Sequence, residues 1–447
     1  MGRLFGTDGV RGVANSELTP ELAFRLGRAA TWHFGQAHDK PMLIIGRDTR
    51  VSGQMLEAAL AAGICSAGGQ AILAGVVPTP AVAYLTRQLG AQAGVVISAS
   101  HNPFPDNGIK FFAEDGYKLP DAVEDELEQL VLAGDDSLPR PTAAAVGCIL
   151  HRPDLLQRYI DYAAATVSES FRDLKIVLDC ANGAAFEAGP SVYRRLGATV
   201  IPLFDQPDGS NINQQCGSTH MEQLQQAVVR EGADLGIAHD GDADRCLFVD
   251  ETGAIVDGDQ MMVICALDSL RRGKLKDNTL VATVMSNIGL HQAMKRAGAK
   301  LEVTAVGDRY VLEAMREKGF NLGGEQSGHI IFADHSTTGD GIVTALQVLA
   351  AMVRAKQPLS LLARQMTRFP QLLVNVRVNS KDGWQDNAAI AAAIRGGEAE
   401  LGDEGRILVR PSGTEPLIRV MAEGPDQAQL DQLVNRIASV IQQEQSH

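Results

Sequence analysis

The chain has 447 residues, with 40 Lys plus Arg against 54 Asp plus Glu and a formal charge of −14 at pH 7. At about 150 residues per domain this length predicts three or four domains, and 45% hydrophobic with 21% charged residues excludes wholesale disorder. Net acidity argues against a general nucleic-acid binder, which carries a basic footprint, but leaves room for an anionic small molecule held by local arginines.

The opening, MGRLFGTDGVRG, lacks the apolar stretch of a secretory signal, and Gly6 stands where a myristoylation pattern needs Ser or Thr. No run approaches the ~20 apolar residues of a membrane helix. Cys65, Cys148, Cys180, Cys216, Cys246 and Cys265 are scattered without a C-x-x-C pair. They read as reduced core thiols of a cytoplasmic protein, not as a disulfide framework or a zinc site.

In chain order, the first features are two Gly- and Arg-containing loops, GTDGVRG with Arg11 and GRDTRVSG at 46–53. Either can hold anionic oxygens, the second because it opens a helix predicted over 53–67. Strands are predicted at 42–45, 71–76 and 94–97. The last runs into SASHNP, so Ser100 and His101 fall just past the end of a buried strand, where α/β sheets gather ligands. Ser100 is the candidate nucleophile or phosphate carrier. A turn that only ends the strand would use the same residues. The stretch 133–141, with Gly134, Asp135, Asp136, Pro139 and Pro141, reads as a linker.

Strands at 176–178, 199–203 and 234–238 and a helix at 221–230 continue the alternation. DGDADR follows, placing Asp240, Asp242 and Asp244 at every second residue, on one side of an extended chain. Two like charges ~4 Å apart repel by about 4 kcal/mol at an effective dielectric of ~20, so three converging carboxylates call for a cation or a shifted pKa. All-oxygen ligands suit Mg²⁺ or Ca²⁺ rather than Zn²⁺. An EF-hand is excluded because Arg245 occupies the position that needs Gly.

A boundary is predicted at 251–259, before an apolar helix over 260–270. Beyond it lie strands at 280–284 and 302–305 and a helix at 289–297. GGEQSGH then places Glu325, Ser327 and His329 between glycines that permit close ligand approach. A carboxylate plus a hydroxyl suits sugar hydroxyls, and His329 can move a proton. After 369–372 the character changes to strands at 373–378, 406–409 and 417–422 and a helix at 427–442, a small α+β domain. Between the last two strands lies RPSGTEP. There Arg410, Ser412, Gly413, Thr414 and Arg419 make a fair phosphate clamp without the Lys of a Walker loop. The rest reads as largely parallel α/β layers.

Taken together and in this order, LFGTDGVRG, GRDTRVSG, SASHNP, DGDADR, GGEQSGH and RPSGTEP resemble the α-D-phosphohexomutase superfamily. LFGTDGVRG and SASHNPFPDNGIKFF are most similar to its bacterial branch acting on glucosamine phosphate. The resemblance implies three related α/β/α domains with mixed sheets and a smaller C-terminal α+β domain, heart-shaped around a central cleft. Residues 1–150 would bear a phosphoserine, 151–255 the metal, 256–370 the sugar site and 371–447 a phosphate site. Ser100 aligns with the phosphoserine. Asp240, Asp242 and Asp244 align with the ligands of one Mg²⁺ per subunit, completed by an oxygen on Ser100. Arg245 follows them toward the phosphoserine. Glu325 and Ser327 align with sugar-hydroxyl contacts, and Arg410, Ser412, Gly413, Thr414 and Arg419 with the clamp on the non-reacting phosphate. Arg11, His101, Lys110 and His329 align with positions for proton handling or charge stabilisation, and sequence leaves the base open among them. A glucosamine 1,6-bisphosphate intermediate and a homodimer are also implied. Glucose or mannose phosphates as substrates, an Asp240-nucleophile phosphatase and a non-catalytic sugar-phosphate sensor are the alternatives.

Overall fold

The computed structural model describes residues 4–6, 8–133, 138–412 and 415–445. It falls into two compact units, Met1–Val284 with Glu302–Ala363, and Met285–Leu301 with Arg364–His447.

In the first unit the chain runs β1 (Val10–Val13), α1 (Pro20–Gly35), β2 (Met42–Arg47), α2 (Val51–Ser66), β3 (Gln70–Val76), α3 (Thr79–Leu89), β4 (Ala93–Ile97), β5 (Asp106–Ala113), α4 (Asp121–Leu132) and β6 (Cys148–His151). These strands form one sheet in the order β1-β5-β4-β2-β3-β6. Its core joins Leu43, Ile45, Val95 and Ile97 to Leu56, Leu60 and Ile64 of α2. Helices α1 and α2 pack backbone to backbone. A Cβ on Gly63 would stand 2.1 Å from the Phe24 carbonyl, and one on Gly27 2.4 Å from the Leu60 carbonyl.

A second sheet follows, from α5 (Asp154–Ala164), β7 (Lys175–Asp179), α6 (Ala185–Arg195), β8 (Thr199–Leu203), α7 (Glu222–Glu231), β9 (Leu235–His239), β10 (Cys246–Asp250) and β11 (Ile255–Val256). Its order is β11-β10-β9-β7-β8. The third comprises α8 (Gly258–Arg271), β12 (Thr279–Thr283), α9 (Ile288–Arg296), β13 (Lys300–Thr304), α10 (Asp308–Lys318), β14 (Leu322–Gly324), β15 (Ile330–Phe332), α11 (Gly341–Ala355) and α12 (Leu359–Ala363), with strand order β13-β12-β14-β15. Helix α8 starts at a capping box between Asp257 and Gln260, which is why the apolar run begins there.

The sheets are mixed, as the family resemblance implies, where the apolar runs alone suggested largely parallel layers. β4 is parallel to β2, β9 to β7 and β14 to β12, but each then turns back into an antiparallel partner, β5, β10 and β15. Apolar runs buried on both faces do not reveal strand direction. The same hairpin position thus recurs in all three sheets, and the turns at 98–105, 240–245 and 325–329 are those that carry SASHNP, DGDADR and the end of GGEQSGH.

The second unit includes α9 and an antiparallel sheet, from β16 (Gln371–Arg377), α13 (Ala388–Leu401), β17 (Arg406–Pro411), β18 (Leu417–Glu423) and α14 (Gln427–Gln445), in the order β16-β18-β17. Among the described residues no helix is long and apolar enough to cross a membrane.

Candidate active site

Ser100 is buried and sits in the left-handed region at φ 51°. Such a conformation costs a non-glycine residue about 1–3 kcal/mol and persists only where its surroundings enforce it. Here they do. The Ser100 N–H donates to Ser98 Oγ at 3.0 Å, and Ser98 Oγ donates to Asp48 Oδ2 at 2.6 Å. The fully buried Arg50 guanidinium donates to the carbonyls of Ser100 (2.9 Å), Asn102 (2.8 Å) and Pro103, and pairs with Asp48 at 2.9 Å. Asn213 Nδ2 donates to the Ser100 and Asn102 carbonyls at 2.8 and 3.0 Å.

The acidic triad converges, but not by alternation along an extended chain as its spacing suggests. Residues 240–245 form a tight turn between β9 and β10, with Ala243 at φ 58° and its N–H on the Asp240 carbonyl at 3.1 Å. The turn brings one carboxylate oxygen from each of Asp240, Asp242 and Asp244 within 4.8 Å of the others. It also presses against the Ser100 loop, since a Cβ on Gly241 would lie 2.5 Å from the Ser100 carbonyl. As a result Ser100 Oγ donates to Asp240 Oδ2 at 2.6 Å.

The electrostatics are unequal across the triad. Burial, then the charges of Asp244 and Asp242, push the Asp240 carboxyl well above the usual range. Burial acts on Asp242 too, but the Lys110 ammonium at 3.1 Å and the Thr79 hydroxyl at 2.8 Å hold it below that range. Asp242 Oδ1 and Asp244 Oδ1 are buried without a hydrogen-bond partner. Unpartnered buried carboxylate oxygens, gathered with no nitrogen or sulfur donor, fit a hard dication such as Mg²⁺.

Asp244 of the triad also lines a cavity of about 690 Å³, together with Arg11, His101, Arg245, Glu325 and His329 among others. His101 Nδ1 lies 3.3 Å from Ser100 Oγ, and burial, then Arg245 and Arg11, lower its pKa. The Arg245 N–H donates to Asp240 Oδ1 at 3.3 Å, while its buried Nε lacks a hydrogen-bond partner. Glu325 Oε1 accepts the Gly307 N–H at 3.1 Å. Both ring nitrogens of His329 are buried without hydrogen bonds, with Nε2 3.9 Å from Asp244 Oδ2. Ser327, by contrast, is exposed and does not line the cavity. Lys110 lies at depth, 3.1 Å from Asp8 as well as from Asp242.

In the second unit, Arg410 and Arg419 stand opposite each other across β17 and β18. Burial, then the charge of Arg419, lowers the Arg410 pKa. Like charges directly opposite destabilise a strand pair, which an anion between them relieves. Arg419 Nη2 reaches Ser412 Oγ at 3.5 Å and Glu415 at 3.3 Å, and its buried Nε has no hydrogen-bond partner. Gly413 and Thr414 lie outside the described residues.

Several residues of the arrangement had no assigned role in the sequence. Asp8 and Arg50 lay inside quoted loops, where one strand of Gly and Arg looks like another. Lys118 and Asp308 carry no motif signal at all. Lys118 Nζ bridges Asp8 at 2.9 Å and Asp308 at 2.6 Å, a pairing only the tertiary structure creates. Lys381 Nζ donates to the Ser412 carbonyl at 2.7 Å beside the arginine pair.

Comparison with known proteins bears on this arrangement. Phosphoglucomutase/phosphomannomutase alpha/beta/alpha domains I, II and III match residues 2–137, 157–253 and 257–369, and the C-terminal domain of that family matches 373–440. The phosphoglucosamine mutase of Symbiobacterium thermophilum is 60% identical over 446 residues, covering 99% of this chain and 100% of that one. That of Desulforamulus reducens is 57% identical over 441 residues, covering 99% of each. The crystal structure of a phosphoglucomutase/phosphomannomutase family protein from Burkholderia thailandensis superposes with a TM-score of 0.82 at 23% identity, over 99% of this chain and 97% of that one. The chain belongs to the phosphoglucomutase/phosphomannomutase family, the α-D-phosphohexomutases.

Proposed function

We propose that this chain is an isomerase that interconverts glucosamine 6-phosphate and glucosamine 1-phosphate, with Ser100 carrying the phosphoryl group. The observation that carries the reading is the Ser100 hydroxyl, fixed in a strained turn 2.6 Å from Asp240 at the edge of three buried carboxylates. Full-length relatives named phosphoglucosamine mutase, at 57% and 60% identity, favour the amino sugar.

The chemistry follows from phosphoryl transfer, which needs positioning and charge neutralisation more than covalent activation. Phosphorylated Ser100 gives its phosphoryl to O1 of glucosamine 6-phosphate. The Ser100 Oγ–P bond breaks, the P–O1 bond forms, and the O1 proton passes to a base, His101 or His329, while Lys110 and Arg11, held as cations by their carboxylate partners, stabilise charge. The 1,6-bisphosphate turns over and returns its 6-phosphoryl to Ser100 Oγ, leaving a protonated O6 and glucosamine 1-phosphate. The intermediate is also the activator that first phosphorylates the serine.

A phosphoserine carries about −1.5 to −2 charge at neutral pH. Mg²⁺ held by Asp240, Asp242 and Asp244 would offset that charge. Arg245 adds a fixed cation on the same side, Glu325 on the cavity wall and Ser327 on the exposed part of the same turn take sugar hydroxyls, and Arg410, Ser412, Gly413, Thr414 and Arg419 hold the phosphate that is not reacting. On this reading residues 1–150 carry the phosphoserine, 151–255 the metal, 256–370 the sugar and 371–447 the distal phosphate. Two copies form the working assembly. The exposed edge strand β6, with Ile149 and Leu150 both over 40% exposed, supports that pairing.

The test compares glucosamine, glucose and mannose 6-phosphates by kcat/KM with Mg²⁺ and a bisphosphate activator, alongside Ser100→Ala. The expected result is preference for the amino sugar and a loss on the order of 10³-fold or more in the variant. Equal turnover of the neutral sugars sinks the substrate assignment. Full turnover by Ser100→Ala sinks the phosphoserine.

A further inference from the structure

Glucosamine 6-phosphate differs from glucose 6-phosphate only at C2, where an ammonium replaces a hydroxyl near neutral pH. A site that selects the ammonium needs an anion on its wall. Among the described residues lining the cavity, six carboxylates stand against four Lys or Arg, a surplus of negative charge unusual for a site that takes a phosphate.

The partners of these carboxylates separate them. Asp121 and Glu313 are both bound to Arg309. Asp8 is saturated by Lys110, Lys118 and Arg11. Asp244 belongs to the acidic triad. That leaves Glu325 and Asp308, joined through one backbone group: Glu325 Oε1 holds the Gly307 N–H, and Asp308 is the next residue, opening α10. Glu325 is already committed to sugar hydroxyls under the proposed function.

Asp308 has the properties the ammonium requires. Both of its ion contacts, Lys118 Nζ at 2.6 Å and His329 Nε2 at 3.7 Å, fall on Oδ2. Lys118 divides its charge between Asp308 and Asp8, so it does not cancel Asp308 alone. Burial raises the Asp308 carboxyl, but Lys118 and His329 outweigh it and bring it down to about 2, so it is anionic throughout the working range.

Resting on the reading that glucosamine phosphate is the substrate, we propose that Asp308 is the specificity-determining residue that receives the C2 ammonium, through the carboxylate oxygen that Lys118 and His329 leave. A hydrogen bond to a charged group corresponds to about 10- to 100-fold in affinity.

The experiment measures kcat/KM for glucosamine 6-phosphate and glucose 6-phosphate with the unsubstituted enzyme, Asp308→Asn and Asp308→Glu, across pH 6.5 to about 9, where the substrate amine loses its proton. The unsubstituted ratio tests the substrate assignment by itself. Given an amino-sugar preference there, Asp308→Asn is expected to lower the ratio about 10- to 100-fold, chiefly through KM for the amino sugar. Asp308→Glu, which keeps the charge, is expected to retain most of the preference. The fall in amino-sugar kcat/KM as the amine deprotonates should also flatten in Asp308→Asn. Equal losses for both sugars in Asp308→Asn would show a merely structural role and overturn the proposal, as would a ratio unchanged in both variants. An unsubstituted enzyme without preference overturns the substrate assignment and this inference with it.

Discussion

At the Ser100 loop the buried Arg50 guanidinium binds three carbonyls within four residues, and among the described residues its charged partner is the equally buried Asp48. Removing it would leave a buried carboxylate unpaired, which costs about 3–5 kcal/mol. Arg50→Gln should therefore lower the thermal midpoint and also lower kcat more than KM, because the carbonyls that fix Ser100 lose their common donor. Calorimetry and steady-state kinetics check both, and an unchanged kcat would remove Arg50 from the positioning of Ser100. At this scale the sequence was legible where chemistry is concentrated in one string. DGDADR announced a cation site by charge alone. GRDTRVSG looked like an anion-binding loop, yet its Arg50 turns inward to carbonyls, because a buried guanidinium satisfies its donors with whatever acceptors the fold brings near.

At the scale of elements, the contact between α1 and α2 depends on the absence of a Cβ. Gly63→Ala forces a methyl to 2.1 Å from a backbone carbonyl that cannot swing away. Overpacking of this kind costs about 1–3 kcal/mol, so the thermal midpoint should drop. Gly396, in the middle of α13, is exposed with nothing within 4 Å of its built Cβ. Gly396→Ala should stabilise by about 0.4–1 kcal/mol, chiefly by restricting the unfolded chain. Denaturant titration of both variants reads the opposite signs, and a common sign would defeat the close-approach argument. The helices expected at 53–67, 221–230 and 427–442 and the strands expected at 94–97 and 234–238 fall within about two or three residues of the observed elements. Strand direction was not readable, because a fully buried run looks the same whether its neighbour is parallel or antiparallel.

At the scale of the whole molecule, β6 closes one edge of the first sheet with all four residues exposed, Ile149 and Leu150 pointing to opposite faces. An unpaired apolar edge is a template for a second strand, and two copies meeting edge to edge satisfy both. Leu150→Glu should convert a dimer into a monomer in sedimentation velocity. A monomeric unsubstituted chain would refute the pairing. The chain's division also departs from its linear order. Residues 285–301 pack with the C-terminal segment, where the buried Glu423 accepts the Ile288 N–H at 3.0 Å and pairs with Arg406 at 2.7 Å. Nothing local marks Glu423, since a carboxylate can be buried only when distant donors converge on it.

The sequence by itself determined the chemistry of the site's centre: a serine past a buried strand, three alternating aspartates, and a Gly-spaced Glu and His, each local in the chain and each set by residue type. It also fixed the α/β alternation and the change to a smaller α+β tail. Only the tertiary structure decided how these strings meet. It placed three of them on equivalent hairpin turns, drew the triad together by a left-handed residue, left Ser327 outside the cavity, and joined Lys118 to Asp8 and to Asp308, 110 and 190 residues away along the chain. The reason is physical. Ion pairs and close backbone approaches depend on distance in space, and a single sequence records distance only along the chain.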